Sequence, residues 1–250
     1  MKRGLFVAAF DELADPRLLV ELASDAERAG FDGFFLWDHV DYRPPVTALL
    51  DPWVAMAAIA TATERVVIGP LVTPPARRRI HKLARETATL DLLSGGRFVF
   101  GAGLGSDNSK EFTKFGEEAD AKARAKLLDD GLAELQRYWD GAFLPRPAHR
   151  IPIWLAARWP NRRPVRRAVR FDGLFPIDLP GPEALRELRE ETQALRDPGA
   201  DGAFDIVVTN PQGTDPGPWI EAGATWCLTG FGPQPTRAEV EAAIDAGPPA

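Results

Sequence analysis

Cysteine is almost missing from this chain: Cys227 is the single one among 250 residues. An intrachain disulfide is therefore impossible, and a reducing compartment suits the sequence, so a cytoplasmic protein is expected. Histidine is scarce as well, with three residues, His39, His81 and His149. No second His or Cys stands at metal-ligand spacing, so no metal site is expected. No run approaches ~18 consecutive apolar residues, which argues against a membrane span. The apolar segment near the amino terminus is cut by Asp11 and Glu12 and is too short for a secretion signal. A basic surplus is also absent: 30 Lys and Arg face 36 Asp and Glu, a formal net charge of -6. That excludes a general nucleic-acid binder, which carries a basic surface.

What is present is ordinary globular material, 45% hydrophobic and 26% charged, arranged in a repeating order of short apolar run, loop and helix. Strands are expected at residues 5–9, 34–37, 66–68, 98–100, 151–155, 173–177, 204–208 and 224–228. Helices fill the intervals. Asp15-Pro16 and Asp51-Pro52 read as caps followed by a first-turn proline, and Gly30 and Ser94-Gly95-Gly96 as stops. In the long helix after Asp120, Ala121, Ala125, Leu128, Leu132, Leu135 and Trp139 recur at helical spacing. Alternating βα units imply a parallel sheet. Eight of them in this length favour one compact α/β domain, a (β/α)8 TIM barrel with shortened loops, over an open doubly wound sheet. The barrel is expected over residues 1–246, with a loose tail at 247–250.

In such a barrel, residues just past the strand ends line the active site. Asp38 and His39 follow the second strand, and a histidine there suits proton transfer near neutrality. His81 and His149, at a helix start and in a loop, read as ordinary. The loop Gly101-Ala102-Gly103-Leu104-Gly105 follows the fourth strand, and its glycines let backbone amides approach a flat ring or an anion. It is not the dinucleotide fingerprint, because no helix begins at its third glycine. After the fifth strand come Ala156, Ala157, Arg158, Trp159, Pro160, Asn161 and Arg162, small residues and guanidiniums that could hold a phosphate. Arg166, Arg167 and Arg170 read as a solvated helix face, and Arg77-Arg78-Arg79 as a second solvated basic run that could also face a phosphate. Of the seven tryptophans, Trp37, Trp53, Trp154 and Trp159 stand near strand ends, where they could wall a planar ligand or simply pack the core. A barrel hydrolase would need paired carboxylates at strand ends, and Asp178 and Asp205 have no clear partners.

Several segments together carry a family likeness: residues 27–33 (Glu-Arg-Ala-Gly-Phe-Asp-Gly), Trp37-Asp38-His39, residues 65–69, the characteristic stretch 83–97, the glycine loop with Glu111-Phe112 and Phe115-Gly116, Pro152-Ile153-Trp154, and Asp172-Gly173. The chain resembles the bacterial luciferase-like monooxygenase family of flavin- or deazaflavin-dependent oxidoreductases, over residues 1 to about 178. The resemblance implies a barrel that binds FMN or coenzyme F420 at its mouth. It puts His39 at the active-site histidine, with Asp38 supporting it or touching the ring. It sets Leu71 and Thr73 against the isoalloxazine, where a non-prolyl cis bond is common, and Gly103 and Leu104 beside the ring. Ala156, Arg158, Trp159, Asn161 and Arg162 fall in the loop for the ribityl phosphate. The implied chemistry is hydride transfer or oxygenation of a small organic substrate. A homodimer built on early-barrel helices is also implied. Relatives carry a longer excursion between residues 139 and 152 and a lid insertion after the seventh strand. An open pocket shifts the reading from oxygenation toward hydride transfer. Pro70 replaces a Ser or Thr common in relatives. The alternative is a flavin-binding barrel without turnover.

Overall fold

The computed structural model describes residues 1–197, 199 and 202–249. Among them eight strands alternate with eight helices: β1 (Lys2–Val7), α1 (Pro16–Ala29), β2 (Gly33–Leu36), α2 (Pro52–Ala62), β3 (Val67–Pro70), α3 (Ile80–Ser94), β4 (Phe100–Ala102), α4 (Ala121–Arg137), β5 (Ile153–Arg158), α5 (Arg163–Ala168), β6 (Gly173–Ile177), α6 (Pro182–Leu195), β7 (Asp205–Pro211), α7 (Gly217–Ala222), β8 (Trp226–Gly230) and α8 (Arg237–Ala246). The strands pair in the order β3-β2-β1-β8-β7-β6-β5-β4, all in parallel. Parallel bridges Ile68–Phe98 and Thr73–Ala102 join the two ends of that order, so the sheet closes into the expected α/β barrel.

Local chemistry places the helices as read. Asp15 accepts from the Arg17 amide at 2.8 Å and Asp51 from the Trp53 and Val54 amides at 2.9 Å. Gly30 and Gly95 end α1 and α3 in the left-handed region, at φ 96° and 63°. Strands β3, β4 and β8 run two residues, and β5 and β7 three, beyond the apolar runs that announced them. Their last positions carry Gly, Pro, Arg, Asn and Thr, because the mouth end of a strand serves the site rather than the core. Glu27 takes the amides of Glu64, Arg65 and Val66 at 3.0, 2.5 and 2.8 Å. Arg97 donates to the carbonyls of Ala60, Thr63 and Val66 at 2.8–2.9 Å, satisfying carbonyls around the carboxyl end of α2 that the helix leaves open.

Inside the barrel, Phe6, Phe35, Trp154, Phe175, Val207, Trp226 and Leu228 form one cluster. Bulk is admitted by glycine: a Cβ on Gly33 would lie 2.6 Å from Phe35 and 2.9 Å from Trp226. A second, larger cluster fills the layer between sheet and helices. At the base of the barrel, the Pro249 carbonyl accepts from Arg3 Nε at 2.7 Å; Ala250, the end of the expected tail, lies outside the described residues. No helix among the described residues is long and apolar enough to cross a membrane.

Closure of β3 on β4 needs bare backbone. A Cβ on Gly101 would fall 2.0 Å from the Pro70 carbonyl oxygen, and one on Gly69 2.3 Å from that of Val99. Gly101→Ala is therefore expected to destabilise the barrel by about 1–3 kcal/mol, the range of overpacked cores. Gly181→Ala, where a new Cβ meets nothing within 4 Å, is expected to change stability by less than about 0.5 kcal/mol. Urea unfolding midpoints of the two variants test the contrast.

Candidate active site

The loops after β2, β3 and β4 meet in a buried charge cluster. Asp38, just past β2, has a fully buried carboxylate. It accepts from Trp53 Nε1 at 3.0 Å, Thr73 Oγ1 at 2.5 Å, Arg77 Nη2 at 3.0 Å and Arg78 Nη2 at 3.0 Å. Arg77 also bridges outward, with Nη2 on the Asp38 carbonyl at 2.9 Å and Nη1 on Glu111 Oε1 at 2.6 Å. Glu111, from the loop after β4, receives the Val40 amide at 2.8 Å and lies 2.8 Å from His39 Nδ1. Burial opposes ionisation of Asp38, but the Arg78 and Arg77 guanidiniums, with hydrogen bonds from Thr73 and Trp53, hold its carboxyl below the usual range. Burial likewise opposes ionisation of Glu111, and His39, Arg77 and the Val40 amide more than offset it.

An ionised Glu111 can only accept, so Nδ1 of His39 is the donor. In the neutral imidazole this leaves Nε2 with a free lone pair. The ring is held edge-on by Tyr42 at 4.9 Å and Phe10 at 5.9 Å, and tilted against Trp37 at 5.8 Å. The His39 side chain is 24% exposed, against 2% for Glu111. The arrangement presents one acceptor nitrogen at the barrel mouth on a buried, anionic support.

The other expected residues fall in two groups. The Leu71–Val72 peptide is cis, within the stretch after β3 where the resemblance implies such a bond. A Cβ on Gly103 would lie 2.6 Å from Val72 and 3.2 Å from Ala156, so Val72, Gly103 and Ala156 form one flush wall, with the partly buried Leu104 next along the chain. Thr73 is fully buried, and its hydroxyl is engaged by Asp38. The second group sits at the rim beyond β5. Arg158 pairs with Asp178, both more than half exposed. Arg162 lies 4.2 Å over the Trp159 ring and pairs with Glu187 and Glu191 of α6 at 3.0 and 3.4 Å. Asn161 accepts the Arg163 amide at 3.1 Å at the start of α5.

Two readings change. The Arg77-Arg78-Arg79 run is not uniformly solvated: the Arg77 and Arg78 side chains are only 4% and 18% exposed, because Asp38 and Glu111 draw them inward. Asp38 supports the cluster and makes no hydrogen bond to the His39 ring, whose partner is Glu111. Glu111 lies 72 residues from His39 on a loop without periodicity. Its only signal was its place in a family-like segment. Arg167 and Arg170 are engaged by Asp129 of α4 at 2.7 and 3.1 Å, which ties α5 to its neighbour.

Arg77→Met removes one cation from two buried carboxylates. A loss of about 3–5 kcal/mol is expected at pH 7, the range for breaking one side of a buried pair. The wild-type carboxyls have depressed folded pKa values, so their stabilisation is present above the unfolded values near pH 4 and is lost on acidification. In the variant the stranded carboxylates are relieved by protonation, so the deficit shrinks toward pH 4.5. Urea unfolding at pH 7 and pH 4.5 checks both sign and size; an equal deficit at the two values would show that charge is not the cause.

Comparison with known proteins agrees with this fold. The sequence pattern described as luciferase-like monooxygenase matches residues 1–211. An F420-dependent glucose-6-phosphate dehydrogenase of Microbacterium testaceum is 31% identical over 173 residues, 61% of this chain and 50% of that protein. A phthiodiolone/phenolphthiodiolone dimycocerosates ketoreductase of a Mycobacterium species is 32% identical over 225 residues, 81% of this chain and 53% of that protein. The chain thus spans about half the length of these two relatives. Among solved structures, an F420-dependent secondary alcohol dehydrogenase in complex with an F420–acetone adduct superposes with a TM-score of 0.80 at 19% identity, covering 98% of this chain and 96% of that one, which establishes a shared fold. The chain belongs to the luciferase-like monooxygenase family.

Proposed function

We propose that the protein is an oxidoreductase that binds coenzyme F420, with FMN as the competing cofactor, and transfers hydride to or from a small organic substrate. One observation carries the reading: a histidine at a strand end, backed by a buried glutamate, standing beside a flush wall. The residues fit a flat anionic cofactor. Trp37 Nε1 is buried at the mouth without a hydrogen-bond partner. Leu71, Val72, Gly103, Leu104 and Ala156 offer apolar surface for a ring. Arg158, Trp159, Asn161 and Arg162 offer donors for a phosphate; the carboxylate pairs of Arg158 and Arg162 lie at the rim, where such pairs are worth little and exchange readily. When bound, the cofactor supplies a two-electron centre that gives or takes hydride. His39 Nε2 accepts a hydroxyl proton from an alcohol or, once protonated, returns it to a carbonyl oxygen. Glu111 orients the ring and steadies the charge on the imidazolium. The names of the relatives support F420 over FMN.

We assign the protein to the cytoplasm and to a homodimer on the same footing. Burial pushes the Cys227 thiol up to about 11, so it stays a protonated thiol with little redox reactivity. Helix α2 is apolar nearly all round, yet Val54 is 70% exposed. Such a helix belongs against another surface.

Fluorescence titration with F420 and with FMN is expected to show micromolar or tighter binding of F420, weakened in Arg158→Ala. His39→Ala is expected to retain binding and lose about 10²–10⁴-fold in turnover. Binding with no turnover of any alcohol or carbonyl compound would favour the non-catalytic barrel. Sedimentation is expected to show a dimer that Val54→Glu converts to monomer; an unchanged sedimentation coefficient would remove α2 from the interface.

A further inference from the structure

A cavity of about 350 Å³ lies at the end of the barrel opposite the mouth. Arg189, Thr192, Gln193 and Arg196 form one wall. Their spacing puts them on a single face along the carboxyl end of α6. Phe204, Ile206, Gly223 and Thr225 form the other. Phe204 and Thr225 precede β7 and β8, which sets the cavity at the base of the sheet, away from His39. Ile206 packs with Leu185 and Ala222, so the cavity lies between sheet and helices, outside the barrel interior. Two guanidiniums enter it without carboxylates. Among the described residues neither Arg189 nor Arg196 is paired with an acid, whereas Arg162, Arg167, Arg170 and Arg186 all are. Arg196 Nε is buried with no hydrogen-bond partner. Its Nη2 reaches only the Gly202 carbonyl, at 3.2 Å. Arg189 lies across bare backbone: a Cβ on Gly223 would fall 2.5 Å from Arg189 Cδ. A buried donor without an acceptor is rare in a folded chain, and the space beside this one is where an acceptor fits.

We propose that this cavity is a second binding site, separate from the mouth, and that it takes a small organic monocarboxylate. The guanidiniums call for an anion, and their planar donors match a carboxylate. The charge balance calls for one negative charge. The carboxyl ends of α6 and α7 both face the cavity, at Thr192 to Arg196 and at Gly223. Each brings roughly half a negative charge, which leaves about one positive charge from the two arginines. A phosphate dianion is disfavoured further by its surroundings. The hydroxyls here are already committed as donors, Thr192 to the Arg189 carbonyl at 2.8 Å and Thr225 to Asp205 at 2.8 Å. The Asp205 carboxylate behind Thr225 repels a second negative charge. The body of the ligand is apolar, because Phe204 and Ile206 supply the remaining wall. The Arg196 guanidinium lies 4.9 Å from the centre of the Phe204 ring, so charge and apolar surface adjoin. The cavity has room for about twelve waters at ~30 Å³ each, which suits one ring or a short chain beside the carboxylate.

The test is an NMR titration of the full chain, labelled at its isoleucine methyl groups, with benzoate, benzyl alcohol and inorganic phosphate. Benzoate is expected to shift the Ile206 methyl resonance saturably, half-complete at about 1 mM or below, and to leave that of Ile177, at the mouth end of β6, in place. Benzyl alcohol and phosphate are expected to bind about tenfold more weakly or not at all. Arg196→Met is expected to weaken benzoate about tenfold or more, and Arg158→Ala, which alters only the mouth, to leave its affinity unchanged. A melting curve confirms that each variant is folded. If Arg196→Met does not fold, Arg189→Met is judged by the same criterion. Three results overturn the proposal: benzoate binding no better than benzyl alcohol or phosphate, a shift confined to Ile177, or benzoate affinity indifferent to the arginine substitution. None of these readouts needs the cofactor, so the outcome stands apart from the oxidoreductase reading.

Discussion

Two carboxylates and two guanidiniums share one nearly dry site beneath the barrel mouth. Each alone would be intolerable there, since removing an ion from water costs several kcal/mol even after relaxation. The four are tolerable together because every one faces an opposite charge: Asp38 takes Arg77 and Arg78, and Glu111 takes Arg77. The members come from the loops after β2, β3 and β4, so none of these loops can settle until the others arrive. The cluster is thus a condition on the whole mouth. It anchors Thr73 just past β3, it holds the loop that carries Glu111, and through Glu111 it orients the His39 ring.

That dependence explains what could be read from residues alone. The barrel was legible because its signals are local: Asp15-Pro16 and Asp51-Pro52 start helices, Gly30 and Gly95 stop them, and apolar runs announce the strands. Strand ends were less legible, because Gly101, Pro70 and Asn210 continue a strand without an apolar signature. His39 could be singled out by its place after β2. Its partner could not, since the glutamate that governs it lies on an aperiodic loop. Arg77 and Arg78 misled for a different reason: three successive arginines normally mark a solvated surface, and only the fold brings Asp38 and Glu111 near enough to draw two of them in.

The segments most characteristic of the family mostly build the frame around the site. Glu27 in the first of them and Arg97 at the end of the 83–97 stretch close the junction between α2 and β3. Asp91, in the same stretch, accepts the Ala148 and His149 amides at 2.7 and 3.1 Å ahead of β5. Glu27 and Arg97 meet backbone groups of the buried Ala60, Thr63 and Val66 that would otherwise lack partners. Family membership read from those segments therefore speaks for the scaffold. The site has to be argued from Trp37-Asp38-His39, the β3 end and Glu111.

The identity of residue 77 follows from the same geometry. Its two terminal nitrogens reach different carboxylates, Nη1 to Glu111 and Nη2 to Asp38. A guanidinium can do this because its donors diverge in a fixed plane, whereas an ammonium concentrates its charge at one point on a flexible stem. With lysine there, one carboxylate would keep its partner and the other would take up a proton to escape an unpaired burial. If that proton went to Glu111, the group facing His39 Nδ1 could become a donor. The imidazole would then turn its proton to Nε2, the nitrogen that faces the mouth. The fork of Arg77 thus controls, at one remove, whether the exposed nitrogen of His39 accepts a proton or offers one.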